Sequence, residues 1–311
     1  MNITIYSCMC WHILSHDSKD YDQHKPERIK AMSGGQLILA ATPLGNALDA
    51  SSRLIQALLK ADIIAAEDTR KARRLFQDLN LEINALVISL FEENEIEKIP
   101  DLISKLKDGK TIVVISDAGT PAISDPGFKL INKAIEENIS MTVLPGPSAV
   151  TSALVLSGLA TDRFSFEGFI PRKGKERNEI LNNLNKESRT MILFESPRRT
   201  KETLEDILEI TGEDRKAAVV REISKTYEEV IRGSLKELVE WATNNEVLGE
   251  ITLVIAGIDN SKKPEVDDAA IKSVKDLVSK GMSFKDAVSE ISTQRGLSRS
   301  KLYEASLRLD S

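Results

Sequence analysis

Short apolar runs recur along the chain, each closed by a turn rich in Gly, Pro or acidic residues: LILAAT at 37–42, ADIIAAED at 61–68, ALVISL at 85–90, TIVVI at 111–115 and MTVLPG at 141–146. Between them the apolar positions recur every third or fourth residue. Residues 50–60 carry Leu54, Ile55, Leu58 and Leu59, Ile103–Leu106 belongs to a second helix, and 126–137 forms a third. Unbroken apolar runs are what strands covered on both faces require, so the alternation predicts a mostly parallel sheet between two helical layers.

The texture changes after a helical stretch at 148–156. FSFEGF (164–169), TMILFES (190–196), KAAVVREI (216–223), YEEVIRGSL (227–235) and EITLVIAG (250–257) follow at closer spacing. Helices at 176–185, 199–210 and 235–243 link them only in part, which predicts a second α/β domain with a mixed sheet. A polar stretch, SKKPEVDD, leads to three helical patterns at 269–280, 284–294 and 299–308. Gly281 and Gly296 stand at helix ends, and Ser283 with Asp286 makes a start signal. Two short helices across a glycine turn suit a helix-turn-helix, and they suit a three-helix cap with its own core. The expected organisation is an extension over 1–32, α/β domains over 33–150 and 151–259, and a helical domain over 264–311.

Composition narrows the function. With 311 residues, 41% hydrophobic and 29% charged, the chain can build its core without a disulfide or metal. No apolar run approaches the roughly 18 residues of a membrane span. Both cysteines (Cys8, Cys10) and all three histidines (His12, His16, His24) lie near the start. No second ligand pair at zinc spacing accompanies them, so no metal is expected. That segment reads as an extension, or as the product of a start upstream of Met32. The remainder has no cysteine, as a cytoplasmic protein would.

Several chemistries are excluded. No Gly-x-Gly-x-x-Gly and no phosphate-binding Gly-Lys-Ser/Thr loop follows a strand, and no His-Glu-x-x-His occurs. Acid–base work past residue 24 falls to carboxylates, Lys, Tyr or water. What remains is a set of turns at strand ends: ATPLGN (41–46), AAEDTR (65–70), SDAGTPAISDPG (116–127), LPGPSA (144–149) and LFESPRR (193–199). Parallel sheets bind ligands at this edge. Rigid Gly/Pro loops offer neutral main-chain groups, which suit adenine and ribose better than a triphosphate. The net charge is −6, yet RKARR (70–74), PRKGKER (171–177), SPRRTK (196–201) and QRGLSRSK (294–301) are basic. Each alone reads as a solvated face; together they could line a path for a phosphate backbone.

ATPLGN, AEDTR, SDAGTPAISDPG, LPGPSA, EGFIPRK, FESPRR, REISKTYEE and GEITLVIAG, in this order, closely resemble the ribosomal small subunit methyltransferase I family of the tetrapyrrole methylase-like superfamily. The resemblance covers about 37–257. It implies two α/β domains with S-adenosylmethionine in the cleft between them, a small C-terminal helical domain, and a homodimer. It also implies methylation of a cytidine 2′-hydroxyl in 16S ribosomal RNA of the small ribosomal subunit. Carried over, Gly119, Thr120 and Ile123 would hold the cofactor, with Pro43, Ser148 and Ala149 from the first domain; Asp117 and Asp125 read as braces of that loop that accept backbone N–H bonds. Phe194, Gly249, Glu250 and Ile251 would join from the second. Candidate proton acceptors are Glu195 and Glu222, with Lys225, Arg198 and Arg221 steadying the hydroxyl or a phosphate; Glu222 and Arg221 equally suit a buried structural ion pair. Arg70, Arg172, Lys173, Arg198, Arg199, Arg299 and Lys301 would meet RNA. The family's Tyr-His-Glu-His-Asn is replaced by Leu90-Phe91-Glu92-Glu93-Asn94, so any role of those histidines is lost or moved. Two rival readings remain: a tetrapyrrole C-methylase, and a non-catalytic RNA-binding or assembly factor.

Overall fold

The computed structural model describes residues 35–258 and 266–308. The expected N-terminal extension, with its cysteines and histidines, lies outside the described residues, as does most of the polar stretch at 261–268. The chain divides into two compact units. One comprises the described part of Met1–Thr42 with Ala50–Gly146; the other comprises Pro43–Asp49 with Pro147 onward.

The first unit is built on β1 (Gln36–Ala40), β2 (Ile63–Ala66), β3 (Leu86–Ser89), β4 (Thr111–Ile115) and β5 (Ser140–Leu144). All pairings are parallel, in the order β3-β2-β4-β1-β5. Helices α1 (Ser52–Lys60) and α2 (Thr69–Asp78) cover one face through Leu54, Leu58, Ala72 and Phe76. Helices α3 (Glu92–Lys107) and α4 (Phe128–Glu136) cover the other through Leu102, Ile103, Leu106, Leu130 and Ala134.

Two of these helices exceed what periodicity suggested. The basic run of α2 reads as solvated, but its Ala72 and Phe76 are buried four residues apart on one face. Pro100 and the polar start of α3 mask a 16-residue helix. Three glutamates in its first turn and Lys105 and Lys107 in its last complement the helix dipole. Asn94 closes its start by accepting the Phe91 N–H at 2.8 Å. Asn94 of the altered motif is thus a cap.

The second unit holds α5 (Ala149–Ser157), β6 (Phe164–Phe169), α6 (Lys175–Leu184), β7 (Thr190–Glu195), α7 (Pro197–Thr211), β8 (Lys216–Arg221), β9 (Glu229–Ser234), α8 (Leu235–Asn244) and β10 (Ile251–Ile255). Its strand order is β6-β7-β10-β8-β9. Only β6 and β7 are parallel, so the sheet is mixed as expected. One core joins Met191, Leu193, Val219 and Leu253 to Leu181, Leu204 and Leu238 of the covering helices. The last segment forms α9 (Asp268–Ser279), α10 (Phe284–Arg295) and α11 (Arg299–Arg308). These helices bury Val274, Val288, Ile291, Leu297 and Leu302 together. A three-residue turn joins α10 to α11, with Gly296 left-handed at φ 64°. The tail therefore has its own core and also a helix-turn-helix connection.

Candidate active site

In the first unit the carboxyl ends of β1 and β4 are tied into one frame. Thr42 and Gly119 exchange two main-chain hydrogen bonds, Thr42 N to Gly119 O at 2.8 Å and Gly119 N to Thr42 O at 3.1 Å. Two buried hydroxyls reinforce them. Thr42 Oγ1 donates to the Ser116 carbonyl at 3.2 Å, and Ser116 Oγ lies 3.3 Å from the Gly119 carbonyl. Gly119 has φ 80°, a conformation open to glycine and strained for most other residues. Ala122 and Ser124 also take positive φ, 68° and 62°, within the same loop. Such strain persists only where the surroundings enforce it, and it concentrates at functional sites. Beyond the loop, buried Glu95 accepts the Leu130 N–H at 2.9 Å and so holds the start of α4. Thr42, Ser116 and Glu95 are not singled out in the sequence, because a buried hydroxyl or carboxylate looks there like any other polar residue.

Asp117 behaves as a brace. It accepts the Asp68 N–H at 3.1 Å and pairs with Lys71 at 2.8 Å, while its own N–H donates to Glu67 at 3.2 Å. Burial pushes the Glu67 carboxyl above its usual range; the Asp117 N–H opposes this, and the Asp117 charge adds to it. Arg70 forks onto Asp68 at 2.6 Å and holds that carboxyl far below its usual value. Thr120 is half-buried and Ile123 is exposed on the same loop.

The second unit brings together a different set. Pro43, Ser148 and Ala149, expected on the first domain, lie here. The reason is local: Gly45 sits so close to the Lys225 side chain that a Cβ would overlap it, and α5 lies against β7, β8, β9 and β10. The loop after β8 is strained, with Glu222 at φ 53° and Ser224 at φ 62°. Glu222 Oε1 accepts the Glu250 N–H at 2.8 Å and the Lys225 ammonium at 2.9 Å. Lys225 also pairs with Glu250 at 3.1 Å. Burial works against the Glu222 charge, but the Glu250 N–H, Lys225 and Arg221 outweigh it and keep the carboxyl below its usual range. Burial likewise works against the Lys225 charge, and Glu222 and Glu250 outweigh it, so the ammonium is held above its usual value. Gly249, at φ 84°, leaves room for this triad: a Cβ there would stand 2.5 Å from Glu222 Oε1. Ile251 follows at the start of β10 and is buried.

Other expected residues separate from this cluster. Glu195 is only 3% exposed, and its oxygens accept from Ser196 N at 2.7 Å and Thr203 Oγ1 at 2.7 Å. Arg199 stands 3.4 Å from Glu195 and donates to the Ile170 carbonyl at 2.8 Å, so it is turned inward. Arg221 pairs with Glu229 at 2.7 Å and leaves Glu222 to Lys225. Arg172, Lys173, Arg198, Arg299 and Lys301 are exposed. Phe194 is half-buried beside Phe166 and Phe169.

The Tetrapyrrole (Corrin/Porphyrin) Methylases family model matches residues 36–239. A chain of Mycobacterium tuberculosis (strain ATCC 25618 / H37Rv) named ribosomal RNA small subunit methyltransferase I is 48% identical over 279 residues, covering 89% of this chain and 96% of the relative. A chain of the same name from Halalkalibacterium halodurans is 40% identical over 86% of this chain and 93% of its own. Among solved structures, a cobalt precorrin-4 methyltransferase superposes with a TM-score of 0.56 at 19% identity, over 71% of this chain and 94% of that one; at that identity it speaks for the fold alone. With the family model matched over residues 36–239 and relatives matched along nearly their whole length, the chain belongs to the ribosomal RNA small subunit methyltransferase I family of tetrapyrrole methylases.

Proposed function

We propose that this chain transfers the methyl group of S-adenosylmethionine to the 2′-hydroxyl of a cytidine in 16S ribosomal RNA, working in the cytoplasm as a homodimer. The observation that carries this reading is the 48% identity over 279 residues to chains named for that family. The loops suit the donor. Gly119 and its clamp offer rigid neutral main chain at the end of β4. When bound, S-adenosylmethionine supplies an electrophilic methyl on a sulfonium, so transfer is an in-line displacement and positioning is the main contribution, about 7–11 kcal/mol. Asp117, Thr120, Ile123, Pro43, Ser148, Ala149, Phe194, Glu250 and Ile251 complete the proposed donor site.

The Glu222–Lys225–Glu250 triad serves the acceptor. Lys225 stays cationic and stabilises charge developing on the ribose oxygen, while Glu222 and Glu250 hold its ammonium in place and Glu222 is the nearest proton acceptor. Glu195, with its oxygens engaged by Ser196, Thr203 and Arg199, acts as a brace behind the first turn of α7, which carries Arg198. Arg70, Arg172, Lys173, Arg198, Arg299 and Lys301 guide the RNA backbone.

Calorimetric titration with S-adenosylmethionine, followed by transfer of a labelled methyl group to 16S RNA, tests the reading. Wild type should bind and transfer, and Gly119→Val should lose the binding. A wild-type protein that binds the donor but methylates only a tetrapyrrole would refute the substrate.

A further inference from the structure

The strand β6 ends in an exposed aromatic ring that neither the donor site nor the triad uses. In an unbroken strand Phe166 and Phe169 would face opposite sides of the sheet, because side chains alternate. Here the register against β7 shifts between Phe166 and Gly168, with Gly168 at φ 65°. This bulge returns Phe169 to the side of Phe166. Both rings then stand beside Phe194, with centroids 4.8 Å from Phe166 and 5.6 Å from Phe169. Bulges re-aim side chains next to functional sites.

Phe169 is nonetheless 56% exposed. The chain just beyond it is fixed from behind. Arg199 donates to the Ile170 carbonyl at 2.8 Å, and Arg177, itself nearly buried, donates to the Pro171 carbonyl at 2.9 Å. Exposed Arg172 and Lys173 come next, and exposed Arg198 starts α7 after β7. An exposed ring, buttressed by Phe194, which itself packs on Phe166, and flanked by cations is the chemistry that stacks bases of single-stranded nucleic acid.

We propose that Phe169, supported by Phe166 and Phe194, is a stacking platform for an unpaired base of the RNA substrate, with Arg172, Lys173 and Arg198 on the adjoining phosphates. The flanking charge decides between the two nucleobases at hand: cations attract an RNA backbone, whereas the methyl donor is itself a sulfonium cation. The inference rests on the proposed methylation of RNA.

The test compares wild type, Phe169→Ala and Phe169→Trp for affinity to protein-free 16S RNA, affinity to S-adenosylmethionine, thermal unfolding and molecular mass. Loss of one stacked base should weaken RNA binding by roughly 5- to 150-fold in Phe169→Ala. Donor affinity should stay within about twofold, and Phe169→Trp should restore RNA binding and show indole quenching on adding RNA. RNA affinity unchanged in Phe169→Ala would overturn the platform while leaving the function intact. Loss of donor affinity alone would assign the ring to the donor's adenine, and a change of mass would assign it to a contact between copies; either overturns the proposal. A wild-type protein without affinity for either 16S RNA or the assembled small ribosomal subunit would sink the function and the platform together.

Discussion

Replacing Gly249 by alanine imposes two separable penalties on the second unit. At φ 84° any residue with a Cβ is strained by about 1–2 kcal/mol. The new Cβ would also stand 2.5 Å from Glu222 Oε1, the oxygen that accepts from both Glu250 N and Lys225 Nζ. Displacing it weakens two charge-assisted bonds, nominally about 1.5–3 kcal/mol each. The triad is partly open to water, which screens it, so about 1–2 kcal/mol is expected for the pair. The total is about 2–4 kcal/mol, or a fall in Tm of roughly 4–16 °C for a unit of this size. Trp241, partly buried against the core of this unit, reports its unfolding, with Trp11→Phe removing the only other indole. The two penalties separate in a double-mutant cycle. In a Glu222→Ala background the clash is gone, and Gly249→Ala should cost only the backbone strain of about 1–2 kcal/mol. Equal losses in both backgrounds would refute the clash and leave Gly249 with a conformational role alone.

Glu195→Ala should destabilise by about 3 kcal/mol, because it strands Arg199 and the Thr203 hydroxyl in the interior; loss of activity at unchanged Tm would contradict the bracing role. Glu67→Gln keeps an acceptor for the Asp117 N–H and removes a charge that burial disfavours. The folded-state value of Glu67 is raised, so the wild type loses stability as pH climbs from about 4.5 through that value. The variant should therefore melt higher than wild type at pH 7–8 and equal it near pH 4, and a Tm difference independent of pH would refute the assignment. Lys225→Met should lower kcat by roughly 10²–10³-fold with donor affinity within about twofold, as expected for a cation acting on developing charge; measurement of kcat at saturating donor and RNA decides it.

The apolar runs were enough to place five strands in one unit and five in the other, because short apolar stretches closed by Gly, Pro or acidic turns mark strands whether their neighbours run parallel, as in the first unit, or mostly antiparallel, as in the second. The Gly- and Pro-rich turns were equally plain, since their backbone conformations demand those residues, and they identified the family. Helix α2 was hidden because four cationic residues surround its two buried positions, and α3 because Pro100 interrupts its pattern. The candidate site was legible only in part. Glu222 and Lys225 stood in one motif, but that Lys225 is shared with Glu250, and that Arg221 turns to Glu229, depends on how β8, β9 and β10 lie side by side. In the same way Glu195 and Arg199 looked available for chemistry until their partners on α7 and at the end of β6 enclosed them. Residue type and local spacing therefore determined the fold and the loops, because these follow from backbone conformation and the periodic burial of apolar side chains. Which polar groups are engaged and which stay open was decided by tertiary structure alone, since hydrogen-bond partners distant in sequence meet only when the sheets assemble.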